Sequence, residues 1–268
     1  MKRLVKWTLG IAAAISLTSC KPFEFTIEEY ADADRYLIGS QEYTGTLKEL
    51  DIDWIFGKVT LVEDPSATKI LVEEETNRED PLKVHSYFAD NKLSIKFGES
   101  GYQGKIFDIR YKDLKITYNN ALDLKVTLTT GQLEAESICC SKFALEMTTG
   151  KAHIGHLDAA DVDFDLTAGI VTVDEVYADD LFYNQTTGSG TMNLKGCAEA
   201  EFIMTSGVVD LTIREDIGTR VTIDKTTGTL STKKTFNRVD NAYTFGPMDA
   251  SVESNIAVQM TSGILYIR

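Results

Sequence analysis

Thr148-Thr149-Gly150, Thr167-Ala168-Gly169, Thr186-Thr187-Gly188 and Thr205-Ser206-Gly207 recur at one constant interval, and Thr129-Thr130-Gly131 stands the same distance upstream. Further copies end at Gly228, slightly more than one interval after Gly207, and at Gly263, after a longer insertion. Such regularity makes this a repeat protein, a reading that has to precede the placing of any single strand. Counting each glycine as zero, position +2 reads Leu133, Ala152, Val171, Gly190, Val209, Leu230 and Leu265. Position +4 reads Ala135, Ile154, Val173, Met192, Leu211, Thr232 and Ile267. Apolar residues two apart are the period of a strand with one face turned inward. A second alternating run occupies +12 and +14, as in Phe143 and Leu145, Val162 and Phe164, Leu181 and Tyr183, Ala200 and Phe202. Between the two runs, +9 is small in four consecutive copies (Cys140, Ala159, Ala178, Cys197), which predicts an inward corner with little room.

A repeat of about 19 residues, at about 3.3 Å each, supplies the contour of one turn of a three-sided coil. The expected fold is therefore all-β, a single-stranded right-handed parallel β-helix, or solenoid, with about 19 residues per coil. The hand follows from the usual hand of parallel crossovers, and no hexapeptide period of the left-handed type is present. A propeller blade needs about 40 residues, twice the repeat. Layers about 4.8 Å apart turn each repeat position into a column of like side chains. The threonines at +17 (Thr148, Thr167, Thr186, Thr205, Thr226, Thr261) are expected to bond along the axis through their hydroxyls. A glycine beside them permits the positive φ of a sharp corner. An ice- or glycan-binding strip is the functional alternative for that column, and a corner ladder accounts for it without a ligand.

The whole chain has 268 residues, with 41 acidic against 27 basic side chains and a net charge of −14. An acid surplus opposes binding to nucleic acid or to an anionic membrane face. An apolar content of 43% excludes disorder, and four cysteines are too few for a disulfide scaffold. The N-terminus carries Lys2, Arg3 and Lys6, an apolar run from Trp7 to Ile15, then Leu17-Thr18-Ser19-Cys20. That run is too short to span a bilayer and reads as a signal peptide over 1–19. Leu-Thr-Ser-Cys resembles the lipobox of bacterial lipoproteins, in which Cys20 would be acylated, and several acyl chains on one residue make a stable anchor. Lys21, where an inner-membrane retention signal would have Asp, favours an outer-membrane or surface location. Residues 20–45 are then a lipidated tether and N-terminal cap, with Phe23, Phe25, Ile27, Tyr30 and Tyr36 as its apolar side, and 46–268 form the solenoid domain.

Leu50-Asp51-Ile52-Asp53-Trp54-Ile55-Phe56-Gly57-Lys58-Val59-Thr60-Leu61, then Ile70-Leu71-Val72-Glu73-Glu74, then Leu93-Ser94-Ile95-Lys96-Phe97, precede the Thr-x-Gly coils. Together these segments resemble the bacterial putative-adhesin β-strand-repeat domains, which are related to autotransporter adhesin heads. The resemblance covers roughly residues 45 to 268. It implies a β-helix-like fold and an envelope setting, and it brings no catalytic residues. Two stretches, 98–111 and 240–255, read as loops projecting from the coil. Their aromatics Tyr102, Phe107, Tyr243 and Phe245 are the candidate ligand-binding residues, for a glycan or an envelope protein, with capping of the coil as the alternative.

Catalytic patterns are wanting: His153 and His156 lack further ligands nearby in sequence, His85 has no triad context, and Gly188-Ser189-Gly190 is a repeat corner. Cys140 and Cys197 lie three coils apart, about 14 Å, beyond the reach of a disulfide. One constellation remains, the +11 column of Lys142, Asp161, Asp180 and Glu199, flanked by Glu146, Asp163, Asp165, Asp179 and Glu201. Asp161, Asp180 and Glu199 are a Ca²⁺ candidate because carboxylates on stacked layers could share a hard cation. The same face could serve a Ca²⁺-dependent polysaccharide lyase, or act only as a solvated surface that prevents sideways stacking. The expected function is a non-catalytic surface or periplasmic binding or structural module of adhesin type. An envelope-stress or assembly component docking on another membrane protein is the alternative.

Overall fold

The computed structural model describes residues 24–75, 82–105, 112–246 and 252–268. The anchor residue Cys20, the cap residue Phe23 and the loop residue Phe107 lie outside them. Among the described residues the protein is all-β apart from one 3-10 turn at Ala33–Arg35. No helix among them is long and apolar enough to cross a membrane. Its N-terminal part contains β1 (Glu24–Thr26), β2 (Leu37–Ile38), β3 (Gln41–Tyr43), β4 (Glu49–Glu63), β5 (Ile70–Glu75), β6 (His85–Ala89), β7 (Lys92–Lys96), β8 (Gln103–Lys105) and β9 (Asp113–Tyr118). The centre is β10 (Asp123–Met204), whose 82 residues stay in strand pairing while the chain turns repeatedly at its glycines. There follow β11 (Val208–Ile213), β12 (Gly218–Lys225), β13 (Thr229–Thr232), β14 (Phe236–Val239), β15 (Ala242–Phe245), β16 (Val252–Met260) and β17 (Ile264–Ile267).

Pairing is dominated by two rows of parallel strands that meet at the glycine corner. One row, built on the +2 and +4 positions, runs β3, β5, β9, the second half of β4, β10, β11, β17, β13. The other, built on +12 and +14, runs β2, β6, β7, the first half of β4, β10, β16, β12, β15, β14. Ser189 pairs with Val208, a step of one whole repeat, and carries the repeat from β10 into β11. The predicted inward columns are buried: Leu133, Ala152, Val171 and Val209 at +2, and Leu145, Phe164, Tyr183 and Phe202 at +14. Ring contacts of 5.7 Å (Phe143 to Phe164), 6.0 Å (Phe164 to Tyr183) and 5.6 Å (Tyr183 to Phe202) knit successive layers. Each such pair adds about 0.5–1.5 kcal/mol beyond its area.

Chain order and layer order part company at both ends, and here the sequence expectation needs correction. Spacing alone makes Gly228 follow Gly207. Instead, a Cβ on Gly263 would lie 2.5 Å from the Gly207 carbonyl oxygen, β17 pairs with both β11 and β13, and β16 sits between β10 and β12. The chain therefore leaves a gap after β11, builds the outer layer β12–β13, and returns to fill the gap with its last segment. The N-terminal end mirrors this, because β4 is inserted between β10 and the later strands β7 and β9. The N-terminal segment consequently covers the β5–β9 layer and not the first coil in sequence.

The glycine corners are close-packed backbone. A Cβ on Gly188 would lie 2.1 Å from the Gly169 carbonyl oxygen, at a φ of +124°. At Gly169 the backbone is unstrained, and a Cβ would first meet Met147 Cε at 2.7 Å, with the Gly150 oxygen at 3.1 Å. Gly188→Ala is therefore expected to cost about 2–4 kcal/mol, from strain plus overpacking. Gly169→Ala should cost about 1–2 kcal/mol from overpacking alone. Denaturant titration of the two variants checks this order, and equal losses would contradict it. The threonine ladder also differs in detail from expectation. The hydroxyl-to-backbone bonds come from +18, with Thr187 Oγ1 donating to the Thr167 carbonyl at 3.2 Å and Thr227 Oγ1 to the Thr261 carbonyl at 2.8 Å.

Candidate functional site

Outward residues of the +12/+14 row form a broad, open groove of about 740 Å³. Alternation dictates its make-up. Because +12 and +14 point inward, +11, +13 and +15 point to solvent, one set per layer. Lys142, Asp161, Asp180 and Glu199 line it in the expected column, and Ala144, Asp163, Phe182 and Glu201 form the adjacent +13 column. The inserted β16 contributes Asn255 opposite Glu199 and Ala257 opposite Glu201. Asn255 Nδ2 donates to Glu199 Oε1 at 3.0 Å, and Gln259 Nε2 donates to Glu201 Oε1 at 3.2 Å. Partial desolvation between the columns raises the exposed Asp163 carboxyl above its ordinary value, with Asp165 and Glu146 adding to the shift and Lys125 opposing it. Lys125 itself pairs with Glu146 at 2.8 Å.

The groove brings Asp161, Asp180 and Glu199 onto one surface but does not make them a cation cage. Among the described residues, no group of three or more His, Cys, Asp or Glu side chains is placed to hold a metal ion. The reason is geometric. Parallel side chains a layer apart, about 4.8 Å, all point outward, whereas Ca²⁺ needs about six to eight oxygens converging at roughly 2.3–2.6 Å. Glu199 also already accepts from Asn255. The histidines are likewise divided: His153 Nε2 lies 3.1 Å from Asp174 Oδ2, and His156 Nδ1 lies 3.5 Å from Glu175 Oε2.

Of the candidate recognition aromatics, the three described ones, Tyr102, Tyr243 and Phe245, are not on projecting loops. Tyr243 and Phe245 belong to β15, are 9% and 1% exposed, and stack with Phe236 at 5.3 and 5.8 Å, so they seal the C-terminal end of the core. The stretch 98–105 is tied down as well. β8 pairs with β1, Tyr102 packs on Phe25 at 5.8 Å, and the Tyr30 hydroxyl donates to the Gly98 carbonyl at 3.0 Å.

The three described cysteines, Cys139, Cys140 and Cys197, sit in poor surroundings for nucleophilic chemistry. Burial pushes Cys140 and Cys197 up to about 12, and it raises Cys139 too. A thiol held protonated is neither a nucleophile nor a ligand.

One polar feature escaped the sequence reading. Lys112 is buried, with Nζ 3.1 Å from Glu74 Oε1, donating to the carbonyls of Leu82 (2.8 Å) and Phe97, and lying 4.5 Å from the centre of the Trp54 ring. Nothing in its spacing marks Lys112, since Glu74 is remote in the chain and both residue types read as surface. The geometry is that of a structural clamp inside the N-terminal layers.

A sequence model described as Toastrack DUF4097 matches residues 48–263. No curated protein matches the chain. Among solved structures, a "putative adhesin" from Parabacteroides distasonis aligns with TM-score 0.48 and 13% identity, over 87% of this chain and 97% of its own. A "putative cell adhesion protein" from Clostridium sporogenes aligns with TM-score 0.34 and 13% identity, over 86% and 99% of the two chains. A "putative lipid binding protein" from Parabacteroides distasonis aligns with TM-score 0.40 and 11% identity, over 85% and 96%.

Proposed function

Because the chain belongs to the Toastrack DUF4097 family, we propose that it is a non-catalytic, adhesin-type binding module of the cell envelope, tethered through acylated Cys20 and engaging a neutral glycan along its acidic groove. The observation that carries this reading is the pairing of an aromatic platform with aligned acceptors. Phe182 lies in the groove with the small residues Ala144 and Ala257, and carboxylates flank it layer after layer. Aromatic faces bind the apolar faces of sugar rings, and ordered carboxylates accept from sugar hydroxyls. An anionic glycan would be repelled by the same carboxylates. The solenoid is read as right-handed from the usual hand of parallel crossovers, and as having one repeat per turn in its centre from the register of Ser189 on Val208. On this reading a rigid stack holds the groove in shape without a ligand, which limits the ordering cost of binding.

The test is a glycan array probed with the protein and with Phe182→Ala, alongside adhesion of cells lacking the protein. Binding confined to neutral glycans, at least tenfold weaker in Phe182→Ala, is the expected result. Binding to no glycan and unchanged adhesion would overturn the proposal while leaving the fold untouched.

A further inference from the structure

At the N-terminal pole a cavity of about 500 Å³ opens between the 3-10 turn Ala33–Arg35, β2, β6 and the stretch that follows β7. We propose that it is a binding site for a small aliphatic primary amine, held as its ammonium ion by the carboxylates of Asp34 and Glu99, the ring faces of Tyr30 and Tyr36, and a hydrogen bond to His85 Nε2. No residue that lines the acidic groove lines this cavity, so the two sites are independent.

His85 is the residue that points to a ligand. It is only 5% exposed, and its Nδ1 lies 2.9 Å from the Lys83 carbonyl oxygen. A carbonyl oxygen can only accept, so Nδ1 carries the proton and, in the neutral ring, Nε2 is an acceptor. Among the described residues Nε2 has no partner, and no fully enclosed side-chain nitrogen or oxygen is left unpaired, so Nε2 opens on the cavity that His85 lines. Ile38 stands directly opposite His85 in the β2–β6 pair and sets an apolar wall beside that acceptor. A buried acceptor calls for a donor, and here the donor has to come from within the cavity.

The rest of the lining decides the charge of that donor. Asp34 and Glu99 bring two carboxylates from separate segments. The Tyr30 and Tyr36 rings are tilted 55° to each other with centres 4.7 Å apart, and ring faces attract a cation within about 6 Å. Burial, then Tyr36 and Glu99, push the Tyr30 phenol up to about 12 against an opposing contribution from Ser100, so these surroundings disfavour any added negative charge. The turn's own cation is engaged elsewhere, because the Arg35 guanidinium lies 4.6 Å from the centre of the Tyr87 ring and 3.9 Å from Asp32 Oδ1. A metal ion suits the cavity poorly: among the described residues no three His, Cys, Asp or Glu side chains are placed to hold one. A quaternary ammonium would satisfy the rings and carboxylates but has no N–H to give His85. A primary ammonium meets all three demands.

The walls are held in place without a ligand. The Tyr30 hydroxyl donates to the Gly98 carbonyl and the Tyr30 amide to Ser100 Oγ, each at 3.0 Å, which joins the segment leading to Asp34 with the stretch that carries Glu99. The Gly39 amide donates to the Val84 carbonyl at 2.8 Å and clamps the end of β2 beside β6. A site fixed in this way loses little to ordering when it binds.

The test is calorimetric titration of the full chain, in non-ionic detergent, with putrescine, ethanolamine and choline at about 0.15 M NaCl, which screens diffuse attraction to the acidic surface. Both primary amines are expected to bind at one equivalent, and choline about tenfold more weakly for want of the hydrogen bond to His85. Asp34→Asn and Glu99→Gln change exposed side chains without changing their shape, and each should weaken putrescine about threefold or more. His85→Phe should weaken it about tenfold. Asp224→Asn, the same change of charge at an exposed position on β12, should leave binding as it was. Should His85→Phe fail to fold, the two carboxylate variants, checked by an unchanged thermal transition, and the choline comparison still decide the matter. No binding of either primary amine, choline bound as tightly as they are, or an equal loss in Asp224→Asn and Asp34→Asn would overturn the proposal.

Discussion

Replacing Lys112 with methionine is expected to reduce the unfolding free energy of the N-terminal layers by about 3–5 kcal/mol, the usual cost of stranding one member of a buried ion pair. Lys112 and Glu74 have side chains only 1% and 3% exposed, so the carboxylate left behind could not turn to water. The loss reaches further than the pair. Lys112 Nζ also serves the carbonyls of Leu82 and Phe97, and Glu74 Oε1 accepts from the Val84 backbone N–H at 3.0 Å. One ammonium thus ties β5, the segment before β6 and the end of β7 to the strand below. Trp54 offers a local probe, because its indole donates to the Lys112 carbonyl at 3.3 Å and the only other tryptophan, Trp7, falls in the expected signal segment. Urea unfolding followed by Trp54 emission should move to lower denaturant than unfolding followed by far-ultraviolet circular dichroism. Adding Glu74→Leu should restore much of the loss, since removing both charges removes the desolvation cost. A single variant within about 1 kcal/mol of the unsubstituted chain would show that the pair is not the clamp described.

How far the sequence discloses this molecule depends on whether neighbours in space are neighbours in the repeat. Between Gly131 and Gly207 each layer lies on the one before it, so fixed spacing carries the pairing and inward positions such as Val171 and Phe164 are legible from alternation. At the ends, layers pair across longer and unequal stretches of chain, as in Thr229 on Ile264, Glu199 on Asn255 and Asp123 on Glu49, and no fixed interval remains to read. Tyr243 and Phe245 alternate with Ala242 and Thr244 as strand residues should, but Asp240-Asn241 and Gly246-Pro247 around them signal turns more strongly. The Asp240 φ of 54° shows that the first signal was a true hairpin turn feeding the cap. The groove column was legible in full, since +11 is set by the same period. The divergence of its carboxylates was not, because spacing places them on a face without showing whether they converge.

Deleting residues 252–268 is expected to release two further segments along with the one removed. β16 and β17 bury Ile256, Val258, Met260, Leu265 and Ile267, each worth about 1.5–3 kcal/mol of burial. They also receive the backbone bonds of the outer layer: the amides of Thr226, Thr227 and Thr229 donate to the carbonyls of Met260, Thr261 and Gly263 at 2.9, 3.0 and 2.9 Å. Without that partner, β12 and β13 lose the surface they are built on, and the β14–β15 hairpin loses β12. Hydrogen exchange should therefore become fast from Gly218 to Phe245, while β10, supported on its other side by β4, keeps its protection. A competing outcome is physically defined. Gly228 follows Gly207 by little more than the interior repeat, so the orphaned layer has enough chain to stack directly on β11. Retained protection at Val221 and Ile223 in the truncated protein would show that it does so, and that the returning segment is a wedge the outer layer can dispense with. Loss of protection there would show that β16 and β17 complete an interior layer on which the outer one depends, so that the outer layer cannot form before the chain has returned beneath it.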